Sequence, residues 1–341
     1  MMEDAPQRPG DGAVIEVTDL VKVYGQDTRA VDGISFGVGA GELFGFLGPN
    51  GAGKTTTIKV LATLLEPTQG SARVAGFDVT KHPAEVRKRL GLAQQLPALD
   101  AFATGRETLE LAGILQRMSR AEVRQRADEL LELMGLTSVA KKLTGTYSGG
   151  MRRRIDLASA LMHRPPVLIL DEPTEGLDPQ SRTALWEELE RINLAGTTML
   201  LTTHYMEEAD RLCSRLAIID AGKIVIDGTP TDLKRSIGGD TVVLRLAASD
   251  GDLEAQRATV KRLLEDLVGT DGVTAVPEGV SLAVPNASEA VPVMLRRLDA
   301  ERVTISGLQM SEPSLDTVFL KYTGRSIREE AADQSLMIPG F

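Results

Sequence analysis

The chain has 341 residues, of which 42% are hydrophobic and 25% charged, and a formal net charge of −10. That length provides for two domains with apolar cores, and the acidic balance argues against broad nucleic-acid binding. The single cysteine, Cys213, excludes an internal disulfide or a cysteine-based metal cluster and, following Leu212 in a predicted helix, reads as a buried structural thiol.

Residues 1–12 (MMEDAPQRPGDG) carry no apolar signal core and are expected to be disordered. Apolar runs such as 167–170 are far too short to cross a bilayer, so the chain is expected to stay in the cytoplasm. Residues 14–23 and 31–38 read as strands joined by a turn at Gly25-Gln26-Asp27. Residues 42–47 (ELFGFL) form an apolar strand that runs into GPNGAGKTTTIKVLATLL, and 90–94 are strand-like. Residues 104–146, rich in Leu, Glu and Arg at helical spacing, read as a helical insertion. Short apolar strands recur at 167–170, 197–203 and 216–220 with helical patterns between them, which predicts an α/β core with a largely parallel sheet. Trp186, between Leu185 and Leu189, reads as helix packing, and Arg152, Arg153 and Arg154 as a solvated or docking face.

The composition shifts after Pro230. Residues 241–246 and 280–284 alternate as strands, 252–268 and 288–300 are amphipathic helices, and 303–307 reads as another strand. Ser288 is the expected N-cap of the second helix, with Val291, Met294, Leu295 and Leu298 on one face. Leu315, Val318, Phe319 and Tyr322 make a final helical stripe. Residues 240–323 are therefore expected to form a small α+β domain, β-α-β-β-α-β, that docks or regulates, followed by a patternless tail at 324–341.

Gly48-Pro49-Asn50-Gly51-Ala52-Gly53-Lys54-Thr55 matches G-x-x-x-x-G-K-[ST] between a strand and a helix. The glycines let the backbone curl so that successive N–H groups face phosphates, and the helix that continues through Thr56 points its positive end at the same place. Lys54 is expected to neutralise the β- and γ-phosphates and Thr55 to offer a hydroxyl to Mg²⁺. The run at 167–170 ends in Asp171-Glu172-Pro173. A carboxylate at the C-terminal end of such a strand stands beside the phosphate loop. Asp171 is expected to hold Mg²⁺, and Glu172 to orient and polarise the attacking water.

Tyr147-Ser148-Gly149-Gly150-Met151 lies between these elements, and together they resemble the ATPase subunits of ABC transporters over residues 14–235. The resemblance implies a P-loop α/β core with an antiparallel β subdomain and a helical subdomain near 104–160, all within residues 13–238. It makes Ser148, Gly149 and Gly150 the signature that binds ATP held by a second copy of the chain. Glu175-Gly176-Leu177-Asp178 resembles the D-loop, with Asp178 at the nucleotide interface. His204, ending Thr202-Thr203-His204, resembles the switch histidine, and Tyr24 the aromatic residue that stacks on adenine. Gln95, favoured over Gln94, resembles the Q-loop glutamine that reaches the metal. Tyr147 and Met151 depart from the commonest signature, which has Leu and Gln there. That variant, with the C-terminal SLDTVFLKYTGR, resembles the daunorubicin/doxorubicin-resistance type of exporter ATPase. It implies a homodimer with two ATP–Mg²⁺, peripheral at the cytoplasmic face of the plasma membrane and driving a separate membrane permease. A soluble ABC ATPase acting on ribosomes or DNA is the alternative from another class. One cassette, no long heptad run and the acidic charge disfavour it. An importer ATPase is the alternative within the family.

Overall fold

The computed structural model describes residues 13–25, 27–246, 253–268, 273–276 and 279–323. The expectations of disorder at 1–12 and of a patternless tail at 324–341, and part of the predicted turn at Gln26, lie outside them. The described chain divides into two compact units, with the boundary between Pro230 and Thr231.

In the first unit β1 (Ala13–Tyr24) pairs antiparallel with β2 (Thr28–Gly39) and with β4 (Gln69–Val74), and β5 (Phe77–Asp78) completes a sheet ordered β2-β1-β4-β5. The second sheet contains β3 (Leu43–Leu47), β6 (Leu90–Ala93), β7 (Val167–Asp171), β8 (Thr198–Thr203), β9 (Arg215–Asp220) and β10 (Lys223–Gly228). Its order is β10-β9-β3-β8-β7-β6, parallel except for the β9–β10 hairpin. Every residue of β3, β7 and β8 is buried. Strands covered on both faces read as near-continuous apolar runs, which is why β3 and β7 stood out in the sequence. Phe36, Phe44 and Phe46 pack against one another where the two sheets share a core.

The insertion comprises α3 (Gly105–Leu115) and α4 (Arg120–Leu133), leading to α5 (Gly149–Ala160). Thr104 with Glu107, and Ser119 with Glu122, each form a complete capping box. Each cap satisfies otherwise orphaned N–H groups and contributes about 1 kcal/mol. Ahead of them come α1 (Lys54–Leu61) and α2 (Pro83–Arg87); behind them, α6 (Pro179–Leu194) and α7 (Met206–Leu212).

The second unit follows from α8 (Pro230–Ser236) with β11 (Asp240–Leu246), α9 (Leu253–Val268), β12 (Val273–Val276), β13 (Gly279–Val284), α10 (Ala287–Ala300), β14 (Ile305–Ser311) and α11 (Leu315–Thr323). The sheet is antiparallel in the order β12-β13-β11-β14 and closes its own core with α9 and α10. Two local readings change. Asn286, not Ser288, caps α10: its side chain accepts from the N–H groups of Ser288 and Glu289, so Ser288 is already inside the helix. Leu295 faces outward while Met294 and Leu298 are buried, so the apolar stripe is narrower than the sequence implied.

Cys213 is buried against β3, and burial pushes its thiol well above the usual range. A Cβ added at Gly45 would stand 2.5 Å from Cys213 Sγ. Gly45→Ala is therefore expected to cost about 1–3 kcal/mol by overpacking. Less of that cost is expected in a Cys213→Ala background, with denaturant unfolding of the single and double variants as the measurement.

Candidate functional site

The turn between β3 and α1 is shaped by backbone crowding. A Cβ at Gly48 would meet the Ile219 carbonyl oxygen at 2.2 Å, and Gly53, at φ 106°, would bring one within 2.5 Å of the Ala30 carbonyl oxygen. Only glycine fits either position. Lys54 is 4% exposed. Its ammonium donates to the carbonyls of Gly48 (2.6 Å) and Pro49 (3.0 Å) and stands 3.1 Å from Glu172 Oε1.

β8 lies between β3 and β7 and carries the two halves of the site together. Thr202 Oγ1, on β8, donates to Asp171 Oδ1 at 2.6 Å, and Thr55 Oγ1 donates to the same oxygen at 3.2 Å. The Glu172 N–H donates to Thr202 Oγ1 at 3.1 Å. Thr202 had no distinguishing pattern in the sequence, being a threonine at the end of one apolar strand among several. Glu172 holds φ 46°, a left-handed conformation unusual outside glycine and of a kind that collects at functional sites.

His204 follows β8. Its Nδ1 lies 3.2 Å from Glu172 Oε2, but neither atom has an aligned hydrogen-bond partner. Burial pushes the Glu172 carboxyl up; the adjacent His204 imidazole and the Lys54 ammonium outweigh it and hold the group at about 2. Thr55 and Asp171 supply a hydroxyl and a carboxylate oxygen at one locus, hard donors that would suit Mg²⁺. Oε2 of Glu172, buried and without an aligned partner, is where a water can be received.

The other candidates stand apart from this cluster. Gln95 is exposed and its amide donates to Glu175, so it is not joined here to Thr55 and Asp171. Tyr24 ends β1 half-exposed, with the Lys22 ammonium 5.5 Å from its ring centroid. Ser148 caps α5 by accepting from the Met151 N–H. Ser148 and Gly149 are exposed, whereas a Cβ at Gly150 would meet Ser181 Oγ at 2.9 Å. Ser181 in turn is held by Asp178, the cap of α6, so α5 and α6 meet at their N-termini. Asn50 and Thr56 continue the phosphate loop and α1 without a described side-chain hydrogen bond.

Three features went unread. Tyr147 is buried and its hydroxyl donates to the Val139 carbonyl at 2.8 Å, anchoring the signature to the helical insertion. Trp186 donates to Glu208, a carboxylate of α7 with no exposure whose acidity is weakened by burial. The arginine triplet is not a solvated face. Arg153 is 5% exposed and Arg154 donates to the Met134 carbonyl; of the three only Arg152 is exposed. A run of charges reads as surface unless the fold supplies buried carbonyls, and here it does.

The pattern described as ABC transporter matches residues 31–175, and that of the DrrA1-3-like ATP-binding protein C-terminal domain matches 228–323. The chain is 42% identical to the daunorubicin resistance ATP-binding protein DrrA2 of Streptomyces coeruleorubidus over 95% of its own length and 99% of that protein. It is 39% identical to the linearmycin resistance ATP-binding protein LnrL of Bacillus subtilis (strain 168), covering 93% and 100%. Among solved structures it is similar to an ATP-binding subunit of an ABC transporter (32% identity, 66% of this chain and 93% of that one, TM-score 0.60). It is also similar to a dimeric ATP-binding cassette in a post-hydrolysis state bound to ADP and Pi (25% identity, 63% and 98%, TM-score 0.58).

Because the folded Glu172 carboxyl lies below its ordinary value near 4.5, its ionised form stabilises the fold fully above that pH and progressively less as the pH falls toward about 2. The difference in unfolding free energy between the wild type and Glu172→Gln, measured without nucleotide, is expected to be constant from pH 7 to about 5 and to shrink below it.

Proposed function

The chain belongs to the ABC transporter family of ATP-binding subunits, in the group with a DrrA-type C-terminal domain, and we propose that it powers the export of a hydrophobic drug, lipid or secondary metabolite through a separate membrane permease. It is an ATPase that uses ATP and Mg²⁺, and subunits of this kind dimerise and work with membrane permeases. The cargo class rests on relatives that confer daunorubicin, doxorubicin and linearmycin resistance and on another named for Nod factor export. No helix among the described residues is long and apolar enough to cross a membrane. A place at the cytoplasmic face of the plasma membrane follows from the proposed permease.

The observation that carries the catalytic reading is the Lys54–Glu172–His204 arrangement beside Asp171 and Thr55. Lys54 exchanges Glu172 for the β- and γ-phosphates, a stronger acceptor set. Losing that ammonium raises the proton affinity of Glu172, which then orients the attacking water through Oε2 and takes its proton. Phosphoryl transfer from ATP to water, with ADP as the leaving group, needs charge stabilisation more than covalent help, and Mg²⁺ would supply part of it when bound. Thr55 and Asp171 would hold the ion, and Gln95, if freed from Glu175, would be a further ligand. His204 donates to the γ-phosphate, and Tyr24 stacks its half-open ring on adenine. Ser148 and the N–H groups of Gly149 and Gly150 cap the γ-phosphate of the other copy at the start of α5. Closure then depends on ATP, and hydrolysis releases it.

The loop after Gln95 and the helical insertion carry Leu96, Phe102, Leu111, Ile114 and Leu115, all exposed. Exposed apolar side chains of this kind are suited to a protein contact, and the adjacency of Leu96 to Gln95 in the chain makes the permease the proposed occupant.

Glu172→Gln is expected to bind ATP normally, to lose about 10²- to 10⁴-fold in turnover, and to accumulate an ATP-dependent dimer in light scattering; normal steady-state hydrolysis would remove Glu172 from its role. Ser148→Arg is expected to abolish hydrolysis with nucleotide affinity of the monomer retained. Equal loss of monomer binding in equilibrium titration would contradict a cap donated across the dimer.

A further inference from the structure

Arg153 lies on the second turn of α5, behind the cap formed by Ser148. Its Nε donates to the Pro173 carbonyl at 2.7 Å, its Nη2 to the Asp171 carbonyl at 3.0 Å, and its Nη1 to the Gln94 carbonyl. Asp156 Oδ2 stands 3.4 Å from Nη1 and supplies the only ion pair described for it. Two of these carbonyls flank Glu172, one on each side in the chain. The third belongs to the residue before Gln95. One buried side chain thus joins the helix that starts at the signature, the loop that leads to the proposed permease contact and the backbone carrying the catalytic carboxylate.

The chemistry requires a guanidinium. Its planar fork directs N–H groups along several fixed directions at once, so it can hold three carbonyls on separate segments, whereas a lysine ammonium on a flexible stem is a compact point charge. A charge this buried persists only if its donors are satisfied, and these carbonyls do so. The three carbonyls lie at closer hydrogen-bond distance than the Asp156 carboxylate and on three separate segments, so they fix the direction of the guanidinium. The left-handed conformation of Glu172 needs support from its surroundings, and Arg153 grips the chain on either side of it.

We propose that Arg153 is a positioning residue which ties the backbone on both sides of Glu172 to the loop beginning at Gln94, so that movement of that loop displaces the catalytic carboxylate. The proposal rests on the reading of Glu172 as the base.

The test uses the full chain carrying Arg153→Lys, with steady-state ATP hydrolysis and amide hydrogen exchange read side by side. The expected result is a fall in kcat of about tenfold or more with KM for ATP and ADP affinity within about twofold, the split that marks lost transition-state positioning rather than lost binding. Exchange without nucleotide is expected to rise in two segments, 94–100 and 171–176, and to stay at wild-type levels in α9 and α10 of the second unit. Wild-type kcat in the variant would overturn the proposal, as would a kcat loss matched by lost ADP affinity or by faster exchange throughout the chain. If the wild type itself fails to hydrolyse ATP, the functional reading fails alone. The exchange measurement then decides: joint loosening of the two segments sustains the Arg153 link, and unchanged exchange there refutes it.

Discussion

Lys54 and Glu172 form a buried ion pair, and the surrounding structure is organised to hold them at that separation. Taking two opposite charges out of water costs several kcal/mol each, which close pairing and further hydrogen bonds must offset. The Gly48 and Pro49 carbonyls serve Lys54, and the Thr202 hydroxyl serves the Glu172 N–H. One set of supports comes from the turn after β3 and the other from β8, which lies between β3 and β7 in the sheet. β8 contributes Thr202 to both acidic neighbours and delivers His204 at its end. A sheet order that placed β3 directly beside β7 would remove this middle scaffold.

What could be read in advance divides along a physical line. The phosphate loop and Asp171-Glu172 were legible because their chemistry needs particular residue types at fixed chain spacing, next to unbroken apolar strands. Thr202 was illegible because its role depends on which strands become neighbours, and no local pattern encodes that. Arg153 was misread for a related reason: three adjacent arginines look solvated until three unpaired carbonyls from other segments are brought to one of them. Asn286 and Ser288 are both good caps two residues apart, and the choice is made by where β13 ends and by Asp240, whose carboxylate accepts from the Ala287 N–H. Leu295 fits a helical stripe, but the sheet beneath is covered without it.

The second unit resolves its structure by different means. β11 and β13 alternate buried and less buried residues, as expected of a sheet with one face on a core. Its long polar side chains tie elements together: Arg257 donates to the carbonyls of Val276 at the end of β12 and Gly279 at the start of β13, and Arg297 of α10 forks onto Asp266 of α9. These contacts are architectural. No group of three or more His, Cys, Asp or Glu side chains placed to hold a metal occurs among the described residues.

Trp186 is the only tryptophan in the chain. Its indole N–H is bonded to Glu208 at 2.9 Å, on the helix that directly follows His204, and the Arg211 guanidinium lies 5.1 Å from its ring. Indole emission responds to local polarity and to nearby charge. The molecule therefore carries an intrinsic fluorophore beside the segment that follows His204, free of background from any second indole and in need of no attached dye.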